Sequence, residues 1–348
     1  MNTSRINLLR NGLSPRALLP LSLILSLAFA SAFCFSACAP QESPSPEKPG
    51  PVTHIEWAFR PTESPGGART GTRADDWYLI RRMDLFVFDD DGIRALDSYT
   101  RSFAYSPTSV DVRSASGAKR AVAIANLPLP DGFVTSVSHY EDLHKVIAEL
   151  TEDDPAFPVM SGEARFMAGE DRNCAISLEP VMSTVEIHSL KCQFQGSYAG
   201  QSLKRVKVYL TGISCRSELL RQEGFLPTES LNVGGLSERD LARLPYSGMV
   251  YRYLGNGTPA GGGRVYGGTA LYCYPNETDE ETLGSPFTRL VIEGLLDGKT
   301  CYYAIPVNRG DAPGDGPLGI GRNRRYVFDI TLTRPGTESP GLDAAITP

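Results

Sequence analysis

Cys38 carries the most specific chemistry in this sequence, because it ends an apolar stretch that three arginines precede. The arginines are Arg5, Arg10 and Arg16. An apolar run over residues 17–29 follows, and the small residues Ser36 and Ala37 directly before Cys38 let the backbone lie extended in a peptidase groove. This order predicts a lipoprotein signal peptide over residues 1–37, with cleavage before Cys38 and acylation, for example with palmitate, of the new N-terminal cysteine.

Two other interpretations of this N-terminal segment stay open. Cys34 is a competing lipid acceptor, although Phe33 before it is too large for the peptidase groove. A plain secretory signal or a transmembrane helix is the second alternative, which Pro20 and the many Ser and Ala residues disfavour. We expect a mature chain that is anchored to the cell outer membrane by lipid and does not span it.

Charge and cysteine content exclude several classes of protein. Loss of residues 1–37 removes three arginines and no acidic residue, which changes the net charge from −6 to −9. Basic residues are dispersed rather than gathered in a stripe, so we expect no nucleic-acid partner. Five cysteines follow Cys38 without a C-x-x-C pair, which excludes a zinc ribbon and leaves open whether any disulfide forms among them. They are Cys174, Cys192, Cys215, Cys273 and Cys301.

No group of residues predicts catalysis, a cofactor or a metal site. The G-x-S-x-G and H-E-x-x-H signatures are absent, and the four histidines lack the spacing of metal ligands. The histidines are His54, His139, His144 and His188. Residues 314–319 have the spacing of a dinucleotide loop, but Pro317 interrupts it and a strand follows. Residues 89–91 are three aspartates that we interpret as a hairpin turn, since the later ligands of a calcium loop are missing. The tripeptide at 309–311, Arg-Gly-Asp, is interpreted as a chance occurrence.

Two further sets of residues are candidate sites. Arg69 and Arg73 lie in a segment rich in Gly and Thr, which is either a solubilising linker or a substrate for a trypsin-like protease. Tyr246, Tyr251 and Tyr253 lie beside a glycine-rich stretch and could form a platform for a glycan.

The elements that must position these residues are mostly short strands. A proline-rich tether over 38–51 precedes a first strand at 52–59, which a second loose stretch at 61–76 isolates from the rest. A strong strand at 79–88 follows, and a capping box of Ser138 and Glu141 predicts one helix before Thr151. Further strands are predicted at 121–126, 159–166, 175–179, 183–190, 204–213, 268–274, 288–294, 299–307 and 324–334.

This pattern predicts a mainly β chain of two sandwich domains with one or two short helices. We place the N-terminal domain at 52–180, the C-terminal domain at 181–336 and a flexible tail at 337–348. The boundary near Pro180 is where one strand ends and a new alternating run begins.

Several motifs of the chain resemble those of the fimbrillin superfamily, the lipidated subunits of type V pili on Gram-negative anaerobes. Their order covers the whole mature chain. The motifs are Thr72-Arg73 with residues 80–92 (IRRMDLFVFDDDG), residues 120–126 (RAVAIAN), 158–162 (PVMSG), 176–187 (ISLEPVMSTVEI), 321–326 (GRNRRY) and 329–336 (DITLTRPG). Glu179 departs from the pattern, because the family usually has Arg or Lys there.

The resemblance implies two transthyretin-like β-sandwich domains that assemble by strand exchange. A protease would cut after Arg69 or Arg73, the first strand would leave, and a strand of a neighbouring subunit would take its place. Family donors continue past the closing strand with strand-forming residues. Residues 337–348 contain two prolines and little apolar alternation, so they should be a poor donor.

The leading functional hypothesis is therefore a minor or accessory pilus subunit at the tip, without catalysis. It would begin as a surface-exposed lipoprotein of the outer membrane and enter the fimbrium after processing. Its partners would be other pilus subunits and a host or bacterial surface ligand. The alternatives are a pilus base anchor, a glycan-binding surface lipoprotein and an enzyme of unrecognised type.

Overall fold

The computed structural model describes residues 50–60, 79–222, 229–255, 264–282, 284–309 and 318–340. Most regular structure in these residues is strand, which confirms the prediction of a mainly β chain. The strands are β1 Val52–Phe59, β2 Met83–Asp89, β3 Leu96–Ser102, β4 Ser109–Arg113, β5 Gly117–Ala125, β6 Ile147–Glu149, β7 Met160–Ala168, β8 Asn173–Pro180, β9 Ser183–Cys192, β10 Lys204–Thr211, β11 Ile213–Ser214, β12 Arg216–Glu218, β13 Ser230–Leu231, β14 Tyr251–Gly255, β15 Arg264–Cys273, β16 Arg289–Leu296, β17 Lys299–Pro306 and β18 Arg325–Leu332.

Helical structure is limited to short segments. The α-helix α1 spans Glu238–Leu241, and the 3-10 helices span Phe133–Ser136, Tyr140–Lys145, Leu150–Glu152, Gly196–Tyr198 and Ser247–Met249. Within the ranges given above, no helix is long and apolar enough to cross a membrane.

The helix predicted after Ser138 is shorter than expected and of a different kind. The 3-10 helix Tyr140–Lys145 is capped by Asp142 and not by Glu141, since the Asp142 carboxylate accepts hydrogen bonds from the backbone amides of Ser138 (3.0 Å) and His139 (3.1 Å). The chain then forms β6, which pairs antiparallel with β12. Pairing with a distant segment overrides the local helical periodicity.

The first sandwich is built from strands between β1 and β8. Their order is β3-β2-β5-β7-β8-β1-β4, and β7 meets β8 over only two residue pairs, Met160 with Pro180 and Ser161 with Glu179. The sheet folds into two layers at this point, with β3-β2-β5-β7 in one layer and β8-β1-β4 in the other. The hydrophobic cluster between the layers includes Ile55, Trp57, Met83, Leu85, Val87, Val112, Phe166 and Ile176.

The second sandwich repeats this arrangement. One layer is β14-β10-β16-β17 and the other is β15-β9-β18. Taken in chain order, β9, β10, β14, β15, β16, β17 and β18 hold the positions that β1, β2, β3, β4, β5, β7 and β8 hold in the first. In each copy the first strand lies parallel to the last strand and antiparallel to the fourth, so the two halves share one topology.

The two sandwiches meet close to the predicted domain boundary. The first ends with β8 at Pro180 and the second begins with β9 at Ser183. A large hydrophobic cluster nevertheless includes residues of both, such as Phe86 of β2 and Leu332 of β18, and the described residues form one compact unit. The division into two separate domains therefore stays a prediction.

Candidate functional site

The candidate site is the space between β4 and β8 that β1 fills, which we name the β1 slot. Val52 to Glu56 pair antiparallel with Arg113 to Ser109 of β4, and His54 to Phe59 pair parallel with Asn173 to Leu178 of β8. The strand thus forms backbone ladders on both of its edges. Such pairing satisfies the peptide groups of β1 and those of its two neighbours at the same time.

Alternation along β1 explains why it forms a strand here. The side chains of Thr53, Ile55 and Trp57 are buried, whereas Glu56 and Ala58 are exposed. Two-residue periodicity therefore gives the strand an inner face against the core of the first sandwich and an outer face to solvent.

Two polar contacts fix the register of the inner face. The indole Nε1 of Trp57 donates a hydrogen bond of 2.7 Å to the carbonyl of Pro107, in the loop before β4. The hydroxyl of Thr53 donates one of 3.3 Å to the carbonyl of Asp171, before β8. A shift of β1 by one residue would turn these side chains outward and break both contacts.

The carboxyl end of the slot carries a charged contact. The amide of Arg60 donates to the carbonyl of Leu178 at 2.7 Å, and its guanidinium lies 3.5 Å from the carboxylate of Glu179. The side-chain amide of Asn323 donates to the carbonyl of Arg60 at 3.4 Å. Glu179 also pairs with Arg221 at 2.7 Å, so this end of β1 meets both sandwiches.

The outer strand β4 depends on β1 for its place in the sheet. Among the strands that the structure describes, β4 lies at the end of the strand order and pairs with β1 alone. On the outer face, His54 Nδ1 lies 2.7 Å from the Asp111 carboxylate of β4. Removal of β1 would leave both β4 and the edge of β8 with unpaired backbone groups.

A buried arginine supports the end of β8. Arg322, which is 6% exposed, donates to the carbonyls of Leu219 (2.7 Å) and Glu179 (3.1 Å) and to the hydroxyl of Ser161 (2.8 Å). Burial lowers the pKa of its guanidinium to about 10. Arg322 therefore connects the segment before β18 to the end of β8 by hydrogen bonds.

A buried carboxylate lies in the segment before β7. Asp153 is 1% exposed and accepts hydrogen bonds from the Tyr274 hydroxyl (2.9 Å) and the backbone amides of Val159 (2.9 Å) and Asp154 (2.8 Å). Burial raises the pKa of Asp153 to about 6. Because Tyr274 follows β15, this contact links the two sandwiches.

Several predicted site residues lie outside the described residues. They are the lipidation candidate Cys38 and the processing candidates Arg69 and Arg73. Residues 310–317, with most of the Arg-Gly-Asp tripeptide and of the glycine loop, lie outside them too. Their roles stay predictions.

The three tyrosines of the predicted glycan platform occupy different environments. Tyr251 and Tyr253 lie on one face of β14, where Tyr251 packs against the cluster around Tyr209 and Tyr253 is exposed. Tyr246 precedes β14 and is 44% exposed. No ring contact joins Tyr246 to the other two in the part of the chain that the structure describes.

Cysteines and acidic clusters add no second site. The described cysteines Cys174, Cys192, Cys215, Cys273 and Cys301 are buried, and no disulfide joins any two of them. In the described ranges, no group of His, Cys, Asp or Glu side chains is arranged to hold a metal ion. Asp91 instead accepts hydrogen bonds of 2.8 Å from the amides of Ile93 and Arg94, which lower its pKa and confirm the hairpin turn.

Sequence analysis missed the partners of β1. The alternation of Thr53, Ile55 and Trp57 with polar or small residues was a readable signal for the strand itself. No local pattern indicates that Pro107 and Asn323 would meet it, because those contacts join distant segments.

Comparison with known proteins gives matches in structure. No protein-family model and no curated protein matches the sequence. A fimbrilin from Porphyromonas gingivalis W83 has a TM-score of 0.58 at 16% identity, over 84% of this chain and 94% of that chain. A proposed cell adhesion protein from Parabacteroides distasonis ATCC 8503 has a TM-score of 0.57 at 14% identity, over 85% and 91%.

A second proposed cell adhesion protein, from Bacteroides eggerthii DSM 20697, has a TM-score of 0.55 at 16% identity and covers 85% of this chain and 92% of that chain. These matches span both sandwiches. They confirm the fold that the sequence resemblance implied, and this chain therefore has the two-sandwich fold of the fimbrilins.

Proposed function

We propose that this chain is a structural subunit of a cell-surface fimbria, in which β1 is removed by proteolysis and replaced by a strand of a neighbouring subunit. The observation that carries the proposal is the β1 slot. Its occupant is paired on both edges and buried on one face, yet a single cut within residues 61–78 would separate it covalently from β2. Arg69 and Arg73 lie within that connection.

The vacated slot is best filled by another strand. The vacated slot would present unpaired N–H and C=O groups on β4 and β8 and apolar pockets for alternate side chains. An incoming strand satisfies both, whereas water satisfies only the backbone groups. The role is structural, and no catalytic step is part of it.

The proposed location follows from the lipid signal. Acylation of Cys38 would hold the chain on the outer membrane until the cut releases it into the fimbrium. We place the subunit at the tip, where it accepts a strand, and residues 337–348, with two prolines and little apolar alternation, are poorly suited to donate one. The start of the tail supports this placement, since Thr337 already exchanges backbone hydrogen bonds of 2.9 and 3.0 Å with Tyr302 of β17.

The test is a variant in which Arg69 and Arg73 are both replaced by alanine, with Arg239→Ala on the exposed side of α1 as the control. The double variant should fold, stay in the membrane fraction and fail to enter fimbriae, whereas the control should assemble normally. Normal incorporation of the double variant would contradict the proposal. The anchor has its own test: Cys38→Ala should abolish labelling with radioactive palmitate, and equal labelling of both chains would contradict lipidation.

A second candidate function is a base anchor that keeps its lipid. It is favoured by the fact that β1 fills its own slot in this chain. N-terminal sequencing of the mature protein from its own cells distinguishes the two roles. A start after Arg69 or Arg73 supports the tip subunit, and a blocked Cys38 supports the anchor. Glycan binding is less well supported, because Tyr251 packs against the sheet.

A further inference from the structure

The β1 slot contains one pocket of unusual specificity. Trp57 is the largest side chain on the inner face of β1 and is 9% exposed. It packs in the hydrophobic cluster of the first sandwich, and its indole N–H reaches the carbonyl of Pro107 at 2.7 Å. A phenylalanine or leucine in this pocket would fill part of the volume but leave that carbonyl without a donor. The pocket therefore discriminates tryptophan from other large apolar side chains.

The two ends of the slot also restrict which residues an occupying strand can have there. At the amino end, a Cβ on Gly50 would lie 2.2 Å from the carbonyl oxygen of Ser114, so any larger residue would force a backbone shift there. At the carboxyl end, the Arg60 guanidinium meets the Glu179 carboxylate, whose side chain is 14% exposed. A basic residue fits this end and an acidic one is repelled.

The direction of the occupant is also fixed. A parallel ladder with β8 and an antiparallel ladder with β4 have different hydrogen-bond spacings. A strand inserted in the reverse direction would have to form an antiparallel ladder with β8 and a parallel ladder with β4 instead, and it would carry its basic end away from Glu179. Glycine, tryptophan and arginine can thus meet their partners together in one direction and one register only.

We propose that the slot selects a partner strand that runs parallel to β8 and carries glycine, tryptophan seven residues later and a basic residue three residues after that. This inference rests on the proposed strand exchange and names the chemistry of the incoming segment.

The same pattern identifies the kind of partner. Trp77 is the only other tryptophan of the chain, and it follows Asp75 and Asp76 with no glycine seven residues before it. Residues 333–348 contain no aromatic residue. Only residues 50–60 have the pattern, and a second copy processed in the same way has lost them, so it supplies no matching strand. The partner is a different subunit.

The experiment uses the full mature chain with a site-specific protease sequence placed within residues 61–78. After cutting, fluorescent synthetic peptides of residues 49–61 compete with the bound β1, and fluorescence anisotropy gives their affinities. The native peptide should exchange into the slot. Trp57→Phe should bind about tenfold more weakly and Trp57→Ala at least about 100-fold more weakly. Ala58→Ser, at a solvent-facing position, is the matched control and should bind within about twofold of the native peptide.

The ends are tested with a charge reversal. A peptide with Arg60→Glu should bind about threefold more weakly to the native chain and regain affinity for a chain with Glu179→Arg. A peptide of reversed sequence should not compete.

The outcomes separate this inference from the proposed function. If the native peptide exchanges and both Trp57 variants bind equally well, selection by the pocket is wrong while strand exchange stands. Competition by the reversed peptide would likewise contradict the fixed direction. If the native peptide does not exchange at all, strand exchange itself is wrong and this inference falls with it.

Discussion

β1 and β9 occupy the same place in two copies of one topology, but they are attached to the chain differently. Each begins its sandwich, lies parallel to the last strand and pairs on its other edge with the fourth. β9 follows β8 after only Val181 and Met182. β1 is separated from β2 by residues 60–82, so one cut frees it from every other strand of its sandwich.

β9 is also more deeply buried than β1. Seven of the ten residues of β9 are buried, against three of the eight residues of β1. β9 also carries Glu186, which pairs with Arg325 of β18 at 2.7 Å, and Ser183, whose hydroxyl donates to the carbonyl of Gly321. A strand with both faces buried cannot leave without opening the core.

Connectivity and one-sided burial, rather than topology, make a strand replaceable. Both copies offer the same hydrogen-bonding slot. Only the first holds an occupant whose outer face is solvated and whose covalent links can be cut without breaking a tight turn.

Matched core substitutions in the two strands should have the largest effect. Ile55 and Ile187 are 0% and 1% exposed, and replacing either by alanine should lower the free energy of unfolding by about 2–5 kcal/mol. In a chain cut within residues 61–78, Ile55→Ala should also speed the release of β1, and Ile187→Ala should not. Urea denaturation and the rate of β1 release check this, with Ala58→Ser as the control. Equal release rates for both isoleucine variants would contradict the proposed difference between β1 and β9.

Arg322 supports the slot and the second sandwich together, so its loss should affect both. Arg322→Met removes the arginine donors to the carbonyls of Glu179 and Pro180 and leaves the Leu219 carbonyl with the Ser161 hydroxyl alone, which should cost about 2–4 kcal/mol of unfolding free energy. Arg322→Lys keeps the charge but not the forked geometry and should lose less. Thermal denaturation measures the difference. An unchanged midpoint for Arg322→Met would show that the buried arginine does not connect the two copies.

Stability should fall as pH rises from about 4 to about 6, because of Asp153. Its folded-state pKa is raised to about 6 from 3.8, so the folded chain holds a proton that the unfolded chain releases. This contribution is complete below pH 3.8 and is lost as pH rises through the folded pKa, for a total of up to about 3 kcal/mol. Asp153→Asn should flatten this part of the profile. Urea denaturation across the range checks it, and an identical profile in the variant would contradict the assignment.

The smallest effects should come from two similar histidine–aspartate pairs. His54 lies 2.7 Å from Asp111 in the first copy, and His188 lies 2.8 Å from Asp329 in the second. The aspartates are mostly exposed and the histidines are partly exposed, so His54→Ala and His188→Ala should each change the unfolding free energy by less than about 1 kcal/mol. A much larger loss for either variant in urea denaturation would show that one copy depends on its surface pair.

The sequence allowed prediction of most strands but of few contacts. Strands such as β9 and β17 carry strong local apolar patterns and were predicted close to their observed bounds. Several strands were missed. They include β4, a five-residue strand in which Val110 and Val112 are the only apolar residues, β14, which lies where no strand was predicted, and the short strands β6, β12 and β13. The β1 strand was predicted, but its site could not be, because the contacts of Trp57 with Pro107 and of Arg60 with Glu179 depend on how distant segments fold together.

Hydrogen exchange of the cut chain tests whether β1 can leave its slot while the second sandwich stays folded. After cleavage within residues 61–78, the account predicts that amides of β1 and β4 exchange together and early, while those of β9 and β15 stay protected. Added peptide of residues 50–60 should restore protection to β4, because β4 pairs with β1 alone among the described strands. A single common exchange rate for β1, β4, β9 and β15 would contradict the account, since β1 would then leave only when the whole fold opens.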